Sequence, residues 1–258
     1  MNLTEQIELL HQDLDTVYSA GVEAGKAQGG GGGDTDEILS QFASTIQYNG
    51  NGGTRTDFNN AFLRSTVTDD TMTGILSRWN STIKQANYMF SETKKLSESL
   101  YTDILDFSRC DRMLAIFSSS SITKLKKIDA RAAINGTNGM ANMFLECGKL
   151  VSIDEFYPST KTNFSGTFLG CWELKHIIFK STIAVNGLDF SNCYSLDKES
   201  INSVMTQLSD TTAGLTVTFA RSSVNKAYET SPGAKDGSTS AEWLALVDTK
   251  PNWTIAYV

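Results

Sequence analysis

The sequence predicts an α+β fold: a short solenoid of stacked coils, preceded by an N-terminal helix and closed by an α/β cap. Three observations carry this. Phenylalanine recurs at positions 90, 117, 144 and 168 in related contexts, at intervals of 27, 27 and 24 residues. All four cysteines have Phe three residues before them and Leu or Met three after. Residues 198–258 read as a mixture of three helices and two strands.

Composition sets the limits. A chain of 258 residues, 40% hydrophobic and 20% charged, is long enough for one large domain or two small ones and can bury a core. A formal net charge of -7 speaks against a general nucleic-acid binder, which needs clustered Lys and Arg to displace counterions. Only 3 prolines accompany 20 glycines, which suits a chain with many short turns. The start, MNLTEQIELL, has no basic stretch followed by an apolar one. The expectation is therefore no secretory signal, synthesis in a reducing cytoplasm, and thiols in place of disulfides. No run approaches the roughly 18 apolar residues of a membrane span, so no membrane insertion is expected. Asn-x-Ser/Thr sequons at Asn2, Asn80, Asn135, Asn163 and Asn252 read as chance matches in an Asn- and Thr-rich chain.

Along the chain, residues 1–28 carry a heptad. Leu3, Ile7, Leu10, Leu14 and Val17 alternate spacings of four and three, and Gly21 and Ala24 continue the register weakly. Such a seam has to be covered by another helix. A short oligomeric coiled coil is expected, with an amphipathic helix docked on its own domain as the alternative. Five consecutive glycines, Gly29–Gly33, follow in a linker over 29–37. They have no side chains to bury and behave as flexible coil. No Lys-Ser or Lys-Thr follows at the offset of a phosphate-binding loop. Residues 38–85 form a mixed N-terminal cap. Within it "DEILSQFASTI" looks helical, "QYNGNGGTRTDF" is turn-rich, and "TDDTMTGILSRWNSTI" offers an N-cap before an apolar pattern.

The repeat occupies 86–197. Its contexts are "NYMFSETKKL", "LAIFSSSSITKL", "ANMFLECGKLVSI" and "GTFLGCWELKHII", with a related box in "LDFSRCDRM" and "LDFSNCYSL". Phe supplies 13 of 258 residues, so the four-fold Phe/Cys coincidence has a chance on the order of one in 100,000 and is read as a signature. The consensus is F-x-x-C-x-x-L-x-x-I, with Leu125, Leu150 and Leu174 aligned, followed by Ile128, Ile153 and Ile177. Thr93 and Ser120 stand where Cys is expected, and two extra residues precede Leu125. Phe90, Phe117, Phe144, Phe168 and Phe190 are expected to point inward with Cys110, Cys147, Cys171 and Cys193. Cysteine is small and apolar enough to fill a tight corner, and coils of this period bury their faces only by stacking.

The segments "MFLECGKLVSID", "TFLGCWELKHII" and "DFSNCYSL" resemble BspA-type leucine-rich repeats. The remainder, "LTVTFARSSVNKAYE…GSTSAEWLALVDTKPNWTIAYV", resembles the C-terminal cap of repeat proteins in bacteriophage and prophage tail modules. It reads as helices at 198–208, 223–228 and 241–248 and strands at 215–220 and 253–258. The heptad, the linker and "NGNGGTRTDFNNAF" resemble the N-terminal arrangement of the same proteins. The resemblance implies a non-enzymatic virion protein of the tail, a tail-fibre, baseplate-associated or receptor-binding component. Its implied partners are other tail proteins and a bacterial surface receptor, protein or glycan, and by analogy with tail fibres it would form a trimer. A bacterial surface or secreted adhesion module and a purely structural collar or decoration subunit are the alternatives.

Tests for chemistry in the residues fail. The cysteines lie 37, 24 and 22 residues apart with no Cys-x-x-Cys pair, and only two histidines occur, so no metal or cofactor is expected. His176 follows Cys171 by five residues, but the repeat turns that cysteine inward, which leaves no Cys/His pair. Asp69 and Asp70 in "TDDT" fit a helix cap better than a general acid. Binding is assigned to the strand face. Residues between inward positions face outward, which exposes Lys126, Lys127 and Asp129, then Val151, Ser152 and Asp154, then Lys175, His176 and Ile178. Trp172 reads as half-buried packing or an exposed contact aromatic, and Trp243 and Trp253 as core.

Overall fold

The computed structural model describes residues 57–77, 79, 82–134, 139–229 and 237–258. The heptad, the glycine linker and "DEILSQFASTI" lie outside these residues. Helix α1 spans Asp69–Leu76; strands β1 to β4 span Lys124–Asp129, Ser152–Tyr157, His176–Phe179 and Leu188–Phe190. Helix α2 (Lys198–Gln207), β5 (Leu215–Phe219), α3 (Arg221–Ala227), α4 (Ala241–Asp248) and β6 (Trp253–Tyr257) follow. The strands form two parallel sheets, β1-β2-β3 and β4-β5-β6. Parallel neighbours need a crossover. Between β1, β2 and β3 it is made of turns.

Those turns hold the spine of the molecule. Phe62, Phe90, Phe117, Phe144, Phe168, Phe190 and Phe219 stack in one column, with centroid separations of 5.1, 5.5, 5.5, 5.7, 4.8 and 5.8 Å. Trp243 closes it edge-on to Phe219 at 6.0 Å. The chain thus advances one layer every 22 to 29 residues. The N–H groups of Phe62, Phe90, Phe117 and Phe144 donate to carbonyls of the next layer, Met89, Ile116, Met143 and Thr167, at 2.8–3.0 Å. The following N–H turns back by three residues, as from Leu145 to the Asn142 carbonyl at 3.1 Å. This alternation satisfies the backbone in a buried turn. It requires left-handed residues two before and two after the first five phenylalanines of the column: Asn60/Arg64, Tyr88/Glu92, Ala115/Ser119, Asn142/Glu146 and Gly166/Gly170.

A second inward column is Leu96, Ile122, Leu150, Leu174 and Leu196, all buried. The residues after them are joined layer to layer: Thr123 donates to Ser97, Val151 to Thr123, Lys175 to Val151 and Asp197 to Lys175. This register corrects the consensus alignment. Leu125 pairs with Ile153 and Ile153 with Ile177, so Leu125 is not the partner of Leu150. Ile122 takes that place. The Phe117 layer is one residue short at this point, with no two-residue excess. Leucine and isoleucine fill the same apolar slot, so the residue types alone do not fix the register.

Cys110 is a second correction. Cys147, Cys171 and Cys193 do form a column. Their thiols donate to the carbonyls of Phe117, Phe144 and Phe168 in the preceding layer, at 2.8, 3.1 and 3.9 Å. Cys110 is buried elsewhere, its thiol on the Arg112 carbonyl at 3.2 Å, and Phe107 meets the edge of Phe117 instead of joining the spine. All four cysteine N–H groups bond the carbonyl of the phenylalanine three residues before. F-x-x-C therefore encodes a turn, which this chain uses in two places.

The β1-β2-β3 sheet and its flanking columns are closed by polar side chains. At one end Thr68 caps α1, and the Asp69 carboxylate accepts N–H bonds from Ser97 at 2.9 Å and Ser99 at 3.1 Å. In the Phe62 layer this side chain takes the accepting place that a main-chain carbonyl holds in later layers. At the other end α2 covers the β3 edge: Ile177 and Phe179 N–H donate to Ser200 Oγ and Ser203 Oγ at 2.8 and 3.2 Å. A strand edge closed in this way offers no template for further pairing.

The Asp69 contact has a measurable pH signature. Burial pushes the carboxyl up, but hydrogen bonds from Ser97 and Ser99 outweigh it and hold its pKa at about 2. Its stabilisation is complete above the ordinary value of 3.8 and is lost as pH falls toward about 2. Asp69→Asn is expected to cost about 1–2 kcal/mol near neutral pH, the range of a charge-assisted bond at a partly exposed site. Urea unfolding should show the gap to wild type narrowing below about pH 4.

Candidate recognition face

Outward side chains of β1, β2 and β3 line up by register, Lys124 with Ser152 and Ser152 with His176. Inward residues are spaced by three in β1 (Leu125, Ile128) and β2 (Ile153, Phe156), but by two in β3 (Ile177, Phe179). A register shift between Ile153 and Phe156 absorbs the difference. It leaves two outward residues per layer in the first two strands and one, Ile178, in the third.

The charges on this face are largely paired within the chain. Lys126 binds the Asp103 carboxylate, which raises the lysine pKa. Lys124 binds Glu98 at 3.2 Å, and the Tyr101 hydroxyl donates to Asp154. His176 Nδ1 lies 2.8 Å from Asp197 Oδ2. Asp197 also caps α2; burial raises its pKa, but hydrogen bonds from Ser200 and His176 win and lower it. Lys127 is exposed and sits 5.3 Å over the Tyr157 ring. Lys175 is exposed and takes part in no ion pair among the described residues. Ser152, Asp154 and Ile178 are half-buried.

Asp129 does not belong to the exposed set. It is 2% exposed and is gripped by Arg131, Nε to Oδ1 at 2.9 Å and Nη2 to Oδ2 at 2.6 Å. Arg131 in turn lies 4.9 Å over the Tyr157 ring. Asp129 sits at the end of β1, where the chain turns back through Ala130, so its carboxylate folds under the guanidinium. Glu98, Tyr101 and Asp103 are the contributors that sequence reasoning missed. Glu98 and Tyr101 line a shallow groove with Lys124, Ser152 and Asp154. The available signal was complementary charge one layer apart, "SESLYTD" against "TKLKKID".

Burial disfavours the thiolate form of the core cysteines. Burial pushes Cys110 and Cys147 up to about 12, and Cys171 and Cys193 are raised by the same cause. A thiolate is needed for both attack and metal ligation. No group of three or more His, Cys, Asp or Glu that could hold a metal occurs among the described residues. A thiol reagent such as Ellman's should label none of the four in the folded protein and all of them in denaturant.

Trp172 and Tyr194 are 53% and 50% exposed. Trp243 and Trp253 are buried, and the Trp243 indole donates to the Tyr257 hydroxyl at 2.7 Å. No helix among the described residues is long and apolar enough to cross a membrane. No protein-family model, curated protein or solved structure matches the chain.

Proposed function

We propose that the chain is a non-enzymatic recognition protein of a bacteriophage or prophage tail, a leucine-rich-repeat solenoid carried on an N-terminal helical anchor. One observation supports this most. Along β1, β2 and β3 successive layers align outward side chains, as Lys124, Ser152 and His176 do at a strand spacing of about 4.8 Å, over an apolar interior. Such a surface suits contact with an extended partner. The heptad at Leu3–Val17 and the Gly29–Gly33 linker supply the other half of the reading. A trimer of tethered copies would raise the local concentration at a cell surface, so weak single contacts would suffice.

Binding of purified, labelled chain to intact bacteria tests the recognition role. Lys175→Glu should weaken binding, and Lys126→Glu should weaken it less, because Lys126 is already held by Asp103. Unchanged binding in both variants would remove the strand face as the contact. Sedimentation tests the anchor: deletion of residues 1–28 should reduce the particle to a single chain, and equal mass with and without them would rule out the coiled coil.

A further inference from the structure

The exposed rings of Trp172 and Tyr194 occupy one position of the repeat. Each follows a column cysteine, Cys171 or Cys193, and each precedes a column leucine, Leu174 or Leu196, by two residues. In the layer before, the same position is Gly148. A Cβ at Gly148 would fall 2.9 Å from Trp172 Cε3 and 3.0 Å from Cζ3. The indole therefore rests against a layer that has been emptied to receive it, held from beneath, with about half its surface open to solvent. The rim of this strip is polar: Lys149, Glu173 and Lys175 are exposed, and Asn192 Nδ2 lies 3.5 Å from the Tyr194 hydroxyl.

From this arrangement we infer a saccharide-binding strip along Trp172 and Tyr194. A pyranose ring has an apolar C–H face and a hydroxyl edge. A fixed aromatic plane takes the first, and charged and amide groups at its border take the second. Two rings in adjacent layers follow the repeat axis, which suits a chain of sugars over a single one. The other exposed large hydrophobics, Tyr101, Ile104, Ile134, Leu244 and Val258, hold no such repeated position. The inference uses only the recognition half of the proposed function. It holds for a virion protein and for a cell-surface adhesin alike.

The test uses the full chain, labelled and applied to an array of immobilised bacterial polysaccharides: O-antigens, capsular chains, teichoic acids and cell-wall glycans. Binding to at least one is expected. Trp172→Ala should lower its affinity roughly tenfold or more, Tyr194→Ala less, and Trp172→Phe should keep part of it. The positive polysaccharide should also shield Trp172 from acrylamide quenching. A circular dichroism spectrum unchanged in the variants excludes loss of fold. No binding anywhere on the array overturns the ligand class, and binding unchanged in Trp172→Ala overturns the site. Neither result bears on whether the chain is a tail component, which is read from the particle itself.

Discussion

Phe144→Ala should destabilise the protein by about 3–5 kcal/mol, the cost of removing a large ring from a packed interior. The ring lies between Phe117 at 5.5 Å and Phe168 at 5.7 Å, and Phe156 closes its edge at 6.3 Å. The neighbours cannot collapse into the space, because their backbones are tied from layer to layer by the turn hydrogen bonds. Phe144→Leu keeps much of the volume and should cost about half as much. In a layered structure each unit is stabilised mainly by its neighbours. Phe117→Ala combined with Phe144→Ala should therefore depart from additivity by about 0.5–3 kcal/mol, as expected for residues in contact. Chemical denaturation of wild type, the three single variants and the double variant reads all of this. A loss under about 1 kcal/mol for Phe144→Ala would mean that the spine does not hold the layers together.

Gly170→Val is the second large effect, expected at roughly 2–4 kcal/mol from strain and overpacking. Gly170 has φ of +77°, and a Cβ there would meet the Glu146 Cα at 3.0 Å and its N at 3.2 Å. Both contacts are backbone and cannot swing aside. Earlier layers hold Arg64, Glu92, Ser119 and Glu146 at the same position with positive φ, so the conformation alone is tolerated. The close approach is what a side chain cannot survive. Ala115 gives the contrast. It has φ of +49°, and Ala115→Gly should be nearly neutral, because relief of strain offsets the added freedom of the unfolded chain. Thermal unfolding of the two variants separates conformation from contact.

These positions also show how much could be read from the sequence. The spine was legible from Phe90 to Phe190 because one residue type recurs at one place in the turn. Phe62 and Phe219 were missed, although "NAFL" at 60–63 matches "NMFL" at 142–145. The left-handed positions were hidden, because glycine marks them only at 166 and 170 and Asn, Arg, Tyr, Glu, Ala or Ser stand there earlier. Strand register was misread at Leu125, where Leu and Ile exchange roles and the layer is one residue short. The same F-x-x-C turn at Cys110 and Cys147 misplaced one cysteine, because a local motif specifies its own hydrogen bonds and not its neighbours. The candidate face was legible as a set of outward positions except at Asp129, which is buried. Its pairing was not, since Glu98, Tyr101 and Asp103 come from a layer that carries no strand.

The functional account is tested most directly by quantitative mass spectrometry of phage particles purified from a strain carrying the gene, beside the cell-envelope fraction of the same culture. The account predicts the chain in the particles, at a fixed copy number per particle that is a multiple of three. Its presence in the envelope and absence from the particles would contradict it.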